Sequence, residues 1–198
     1  MYNMSSLILA STSVYKKMLF QRLQLPFTDY SPNVVEIQQN GETAYAMAAR
    51  LAEEKALAVA ALFPNAIVIG ADQTGELNGQ LLGKPNNHKT AIQQLRAQSG
   101  QTSKFHCGIS VLKQLSSGDI IKQTKVHTTE VTFRVLSEKA ITTYLDKDKP
   151  YDCAGSFKSE GLGISLFSKV ESTDPSALVG LPLIDLCTLL SDFGVDLH

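Results

Sequence analysis

The chain of 198 residues carries 43% hydrophobic and 19% charged residues, the balance of a water-soluble globular protein. Its length suffices to bury a sizeable core, and one domain spanning 1–198 is expected. The formal net charge of -1 removes any global electrostatic case for nucleic acid or an anionic membrane as partner, and no apolar run approaches the ~20 residues of a membrane span.

Met1–Ser6 shows no basic segment followed by an apolar one, so no secretory leader is expected. Leu7-Ile8-Leu9-Ala10 reads as a buried strand. Ser11-Thr12-Ser13 then offers N-cap candidates for a helix with Tyr15, Met18, Leu19, Arg22 and Leu23 on one face. Pro26 ends that helix, Phe27–Tyr30 is extended, and Ser31–Gly41 is a loop broken by Pro32, Asn33, Asn40 and Gly41. The clearest helix is Thr43–Phe63, with Ala44, Ala48, Leu51, Ala58, Val59 and Leu62 at helical spacing. Lys55 falls on the same stripe, where it either snorkels to the rim or reaches an anion beside the sheet.

Ala66–Ile69 is a short apolar run rich in β-branched residues, suited to a strand buried on both faces and ending in Gly70-Ala71. Asp72 follows at the carboxyl end of that strand, where open α/β sheets collect their ligands. A carboxylate there either holds a metal or takes a proton from water, or it merely starts a turn. Glu76–Leu82 reads as a hairpin turning at Asn78-Gly79, closed by Gly83-Lys84-Pro85. Asn87–Gln98 is helical with Gly100 as its stop, and Thr102–Lys113 and Ile120–Phe133 form a long antiparallel β pair, so the sheet is mixed. Ser137–Leu145 is a helix with Ser137 as cap. The stretch Tyr151–Gly163, rich in glycine and polar residues, is either a flexible connection or a working loop. Ile164–Val170 returns to the sheet, Asp174-Pro175-Ser176 turns, and Gly180-Leu181-Pro182 opens a last helix with Leu183, Leu186, Leu189 and Leu190 inward.

Cys107, Cys153 and Cys187 are odd in number and contain no C-x-x-C pair, which argues against a disulfide framework or zinc site and fits a reducing cytoplasm. A thiol enzyme built on Cys153 competes with the reading of a small buried cysteine. The histidines, His88, His106, His127 and His198, have no metal-ligand spacing. Lys16 and Lys17 stand in the first turn of a helix, where positive charge opposes the dipole by ~0.3–1 kcal/mol per charge. Either they are a solvated basic pair, or a bound anion removes the penalty. Gly83-Lys84-Pro85 resembles half a P-loop, but three residues separate Gly79 from Gly83 where Walker A needs four, and Pro85 replaces the magnesium-binding hydroxyl. Asp72 with Lys16, Lys55 and Lys84 is the charge pattern of a metal-bound polyphosphate.

Leu7–Ser13, Arg50-Leu51-Ala52-Glu53-Glu54-Lys55-Ala56, Ile69-Gly70-Ala71-Asp72, Gly83-Lys84-Pro85 and Gly180-Leu181-Pro182, in this order and over almost the whole chain, resemble the Maf family of nucleotide pyrophosphatases. Gly70-Ala71-Asp72-Gln73 and Cys153–Gly161 look like the subgroup acting on 7-methyl-GTP. The dTTP/UTP subgroup carries Thr after the Asp and a loop ending in Gln-Gly. The resemblance implies a mixed α/β fold: an elongated β-sheet with flanking helices in two lobes around a central cleft, similar to inosine triphosphate pyrophosphatases. It also implies magnesium or manganese, cleavage between the α- and β-phosphates, and a small-molecule nucleotide as the partner. Family members are often homodimers. By the same resemblance Asp72 is the catalytic base and a metal ligand, with Glu36 as second acidic group at the metal. Ser11, Lys16, Lys55 and Lys84 take the phosphate positions, and Tyr15, Gln73 and Glu160 those that set base specificity.

Two departures stand out. Where the family has Ser-x-Ser-Pro-Arg-Arg, this chain reads Ser11-Thr12-Ser13-Val14-Tyr15-Lys16-Lys17, losing the stiff helix start and a bidentate phosphate ligand. The usual Val-Asp-Glu reads Val34-Val35-Glu36, one acidic group short. The base residues make chemical sense: guanine methylated at N7 is cationic, and Tyr15 can stack on it through a cation–π contact worth ~0.5–2 kcal/mol. Glu160 can accept from the guanine N1–H and exocyclic amine. Tyr15 also falls on the apolar stripe of its helix, as a core aromatic would. Two alternatives share the sequence features: a dTTP/UTP or broader modified-nucleotide pyrophosphatase, and a nucleotide-binding cell-division regulator with little catalysis.

Overall fold

The computed structural model describes residues 6–197, so Met1–Ser5, within the stretch read above for a leader, and His198 lie outside the described residues. The chain runs through β1 (Leu7–Ala10), α1 (Val14–Gln21), β2 (Phe27–Asp29), α2 (Ala44–Ala60), β3 (Ile67–Leu77) and β4 (Gln80–Leu82). It continues through α3 (His88–Gln98), β5 (Thr102–Gln114), β6 (Ile120–Phe133), α4 (Glu138–Asp148), β7 (Phe167–Glu171) and α5 (Leu183–Asp192). The described strands form one sheet in the order β2-β1-β3-β5-β6-β7, with β4 paired to β3. β1 is parallel to β2 and β3, whereas β4 on β3 and β7 on β6 are antiparallel, so the sheet is mixed as expected. No helix among the described residues is long and apolar enough to cross a membrane.

Two compact units divide the chain. One takes the residues through Asp72, Cys107–His127 and those from Asp174 onward; the other takes Gln73–His106 and Thr128–Thr173.

The first unit shows why β1 and β3 begin as unbroken apolar runs. Successive strand residues face opposite sides, and both sides are covered. Leu7, Leu9, Ile67 and Ile69 pack with Phe20 of α1 and with Leu186, Leu189 and Leu190 of α5. Ile8, Ala10 and Val68 pack instead with Ala56, Val59 and Ala60 of α2. α2 lies very close to the sheet. A Cβ built on Gly70 of β3 would overlap the Ala52 carbonyl oxygen and crowd the Ala56 backbone nitrogen, and one on Gly108 of β5 would overlap the Ala48 carbonyl oxygen. The alanine-rich inner stripe of α2 and these two glycines are therefore one feature.

Some inner faces differ from the spacing-based reading. On α2, Met47, Ala52 and Ala56 are buried, while Ala58 is exposed and Leu62, beyond the helix end at Ala60, is 56% exposed. On α1, Phe20 is fully buried and Met18 is exposed, because an eight-residue helix tolerates a shift of its apolar stripe by one position.

In the second unit Phe157 sits edge-on to Phe105, Phe133 and Phe167, with ring centroids 5.0, 5.7 and 4.9 Å apart, an arrangement that aromatic quadrupoles favour. Gly155 has φ +74, and a Cβ there would lie 2.9 Å from the Phe105 ring. The Tyr151–Gly163 stretch is thus anchored by its own phenylalanine, not a loose connection. Ile164–Leu166 belong to a 3-10 turn, so the return strand starts only at Phe167. The β3–β4 hairpin turns at Asn78 and Gly79 with φ of +51 and +79, the left-handed pair a type I′ turn requires. β3 itself is longer than its apolar start suggests. It runs on through Gly70 and Ala71 to Leu77.

Gly70→Ala should destabilise the protein by ~1–3 kcal/mol through overpacking of α2 against β3. A urea midpoint equal to that of the parent would contradict this account of the helix seat.

Candidate active site

The parallel pairing of β1 with β3 ends at Ala10 opposite Gly70. Ser11 follows on one chain and, two residues past the pairing on the other, Asp72. Asp72 is therefore not at a strand end, as the sequence suggested, but inside β3 where its parallel neighbour stops. The ligand-collecting edge of the parallel ladder is still there. The turn-starter reading of Asp72 is excluded by the strand continuing on both sides of it.

Asp72 is buried at 6% exposure, and its Oδ1 accepts from the Lys55 ammonium at 2.5 Å. The same ammonium meets Glu36 Oε1 at 2.5 Å. Lys55 is buried at 7% and so does not snorkel; the anions it reaches are two carboxylates. Gly70 explains the geometry, since α2 can bring Lys55 down to β3 only because no side chain intervenes between Gly70 and Ala52. Glu36 is placed by its loop, which Arg50 of α2 pins by donating to Glu42 Oε1 at 2.6 Å and to the Ile37 carbonyl at 3.0 Å.

α1 supplies the other cation. Ser13 caps the helix by accepting from the Lys16 N–H at 3.4 Å, and Ser11 Oγ accepts from the Ser13 N–H at 3.1 Å. The Lys16 residue is half-buried overall, but its ammonium points inward, within electrostatic reach of Cys107, Asp72, Lys55 and Glu36. Lys17 turns away to Asp29 at 2.6 Å, so the solvated-pair reading holds for Lys17 only.

Burial dominates the electrostatics. Desolvation pushes the Asp72 carboxyl above the usual carboxylate range, with Lys55 and Lys16 opposing. For Lys55 the desolvation pulls downward, but Asp72 and Glu36 together outweigh it and keep the ammonium charged. Lys16 is pushed down by burial. Cys107, which sequence reasoning passed over, is a fully buried thiol pushed up to about 12 by the same desolvation. The sequence places it on a strand but not beside Lys16, a relation made only by non-local packing. Cys153 is likewise pushed up to about 12, first by burial and then by Asp152, which removes the thiolate a cysteine nucleophile would need.

Asp72 and Glu36 fit a divalent ion in chemistry. Two hard oxygen donors converge on one cationic position, and magnesium or manganese accepts few protein ligands when phosphates and water complete the shell. Among the described residues no group of three His, Cys, Asp or Glu is arranged to hold a metal.

The structure thus brings together Lys16, Glu36, Lys55 and Asp72 in the first unit, with Ser11 directly after β1 in the same unit. Tyr15 stands beside Lys16 on α1 and is half-buried. Gln73, Lys84 and Glu160 belong to the second unit. Gln73 follows Asp72 on a continuous strand, so its side chain leaves the opposite face of β3. Lys84 lies exposed after β4, between Gly83, whose carbonyl accepts from Gln94, and the Asn86 turn. Glu160 is exposed in the turn after Lys158 and accepts from Ser159 Oγ at 3.3 Å.

A HAM1 protein from Coxiella burnetii shares this fold, with a TM-score of 0.51 and 17% identity over 96% of this chain and 100% of that one. Residues 6–193 match the family described as Maf-like protein, and the chain belongs to that family. It is 52% identical over 194 residues to a protein of Xanthomonas axonopodis pv. citri named 7-methyl-GTP pyrophosphatase, covering 96% of this chain and 98% of that one. A Methylobacillus flagellatus protein of the same name is 47% identical over 196 residues, covering 98% of this chain and 99% of that one.

Lys55→Met leaves Asp72 buried without its counter-charge and should cost about 3–5 kcal/mol of stability. Adding Asp72→Asn should recover most of that loss in urea unfolding. A double variant no more stable than Lys55→Met would show that the pair is not what the substitution breaks.

Proposed function

We propose that this Maf-family chain is a nucleoside triphosphate pyrophosphatase that hydrolyses 7-methyl-GTP to 7-methyl-GMP and pyrophosphate, acting as one functional domain across 1–198. The observation that carries the reading is a buried carboxylate, Asp72, flanked by the ammonium groups of Lys55 and Lys16. The names of relatives at about half identity over nearly the full chain support the substrate. The unpaired Cys107, Cys153 and Cys187 suit the cytoplasmic location we assign.

Hydrolysis of the α–β anhydride needs a water oxygen to attack the α-phosphorus while its proton leaves and negative charge moves onto pyrophosphate. Asp72 Oδ1 accepts from the Lys55 ammonium, and the Asp72 carboxylate is the group assigned to take that proton. Lys16 and Lys55, held in a desolvated setting, stabilise the charge that develops on the phosphate oxygens. Ser11 at the end of β1 and Lys84 after β4 are assigned to the phosphates as well. Tyr15, Gln73 and Glu160 are assigned to the base, where a stacking ring and a carboxylate match a cationic guanine. A divalent ion held by Asp72 and Glu36 supplies further charge neutralisation when bound.

Asp72→Asn should lower kcat at least ~10²–10⁴-fold, the range of a lost general base, and leave the far-ultraviolet dichroism unchanged. Parent-like turnover of 7-methyl-GTP in that variant would sink the assignment. The pH profile gives a second check. Asp72 accepts a proton only when ionised, and burial raises its pKa. Activity should therefore rise with pH through a value above that of an ordinary aspartate, and an acid limb at or below the ordinary value would contradict the role.

A further inference from the structure

Asp148 is hard to explain as a structural residue. It is the last residue of α4, where a negative charge faces the negative end of the helix dipole. Its Oδ2 is buried and, among the described residues, is the one buried side-chain oxygen or nitrogen without a hydrogen-bond partner. Such an atom costs stability, and native proteins keep few of them without a use.

Its surroundings suggest that use. A Cβ built on Gly161 would lie 2.9 Å from Asp148 Oδ2, so the carboxylate sits directly behind the turn that carries Glu160. That turn is tightly wound. The Gly161 N–H donates to the Lys158 carbonyl at 3.2 Å, and a Cβ on Gly163 would overlap the same carbonyl oxygen. The Lys158 N–H in turn donates to the Tyr144 hydroxyl at 2.9 Å. Burial pushes the Tyr144 phenol up, and Asp148, Cys153 and Glu160 add to that push, which places both carboxylates within electrostatic reach of one phenol. The Lys158 ammonium stands nearby, donating to the Asp148 main-chain carbonyl at 3.3 Å and lying 4.0 Å from Asp152, while Asp148 Oδ2 itself takes part in no hydrogen bond.

We propose that Asp148 is a specificity-determining positioning residue: it seats the Glu160 turn at Gly161 and adds a second negative charge that favours a cationic, N7-methylated guanine over neutral guanine. The inference rests on the proposed 7-methyl-GTP reading. Glu160 supplies the hydrogen-bond acceptors and the first negative charge. Asp148 Oδ2, reached by no hydrogen bond, acts by charge, and the tightly wound glycine turn keeps it close without exposing it to the ligand.

Asp148→Asn keeps the shape and removes the charge. Calorimetric titration with 7-methyl-GMP and with GMP gives a preference within each protein as a ratio of Kd values. The expected result is a preference about fivefold smaller in Asp148→Asn, the scale of one charge at intermediate distance in a partly solvated site. Its thermal midpoint should be equal to or above that of the parent, because the charge on a buried oxygen without a hydrogen-bond partner has gone. Equal weakening of both ligands, or a lower midpoint with an unchanged ratio, would reduce Asp148 to a structural residue and overturn the proposal. A parent protein with no preference for 7-methyl-GMP would overturn the substrate reading itself, and this inference with it. The parent titration separates the two failures.

Discussion

The ion pair between Lys55 and Asp72 is the constraint on which the rest depends. Two charges taken out of water are costly, and only a close, well-satisfied geometry offsets that cost. The closeness is produced by small residues: Gly70 admits the Ala52 turn of α2 to the sheet, and Gly108 does the same at Ala48. The alanine stripe of α2 therefore serves the site as well as the core. Larger side chains would crowd the sheet and lift Lys55 away from β3.

The same closeness shapes the chemistry. A carboxylate pushed up by burial is a better proton acceptor near neutrality than one held down in water, and the adjoining ammonium groups are stronger in a desolvated setting. Lys55 serves two partners, Asp72 in the sheet and Glu36 in the loop pinned by Arg50. A cation already occupies the point at which two oxygen donors converge. The protein thus prepares that point for positive charge, whether carried by lysine or by a metal.

Much of this was legible in the sequence. The strand–helix order, the caps at Ser13 and Ser137, and the hairpin at Asn78-Gly79 follow from local chemistry that tertiary contacts did not override. Lys55 was marked by its place on an apolar stripe, and the stripe proved right about its burial. What was not legible needed non-local information. β3 continues past Gly70 because β4 returns to pair with it, which no apolar run could announce. Cys107 and Asp148 carry no motif at all. One is marked only by which ammonium lies near it, the other only by an oxygen with no partner. Gln73 shows the limit of adjacency, since the residue next to Asp72 in sequence faces the other side of the sheet.

The central claim is that a buried Asp72–lysine centre cleaves a cationic purine nucleotide between its α- and β-phosphates. The most direct measurement is pyrophosphate release from 7-methyl-GTP, GTP, dTTP, UTP and CTP, each with magnesium and with manganese. The account predicts 7-methyl-GTP as the best substrate by kcat/KM, with 7-methyl-GMP and pyrophosphate as the products. A preference for dTTP or UTP, or tight nucleotide binding with no pyrophosphate released, would contradict it.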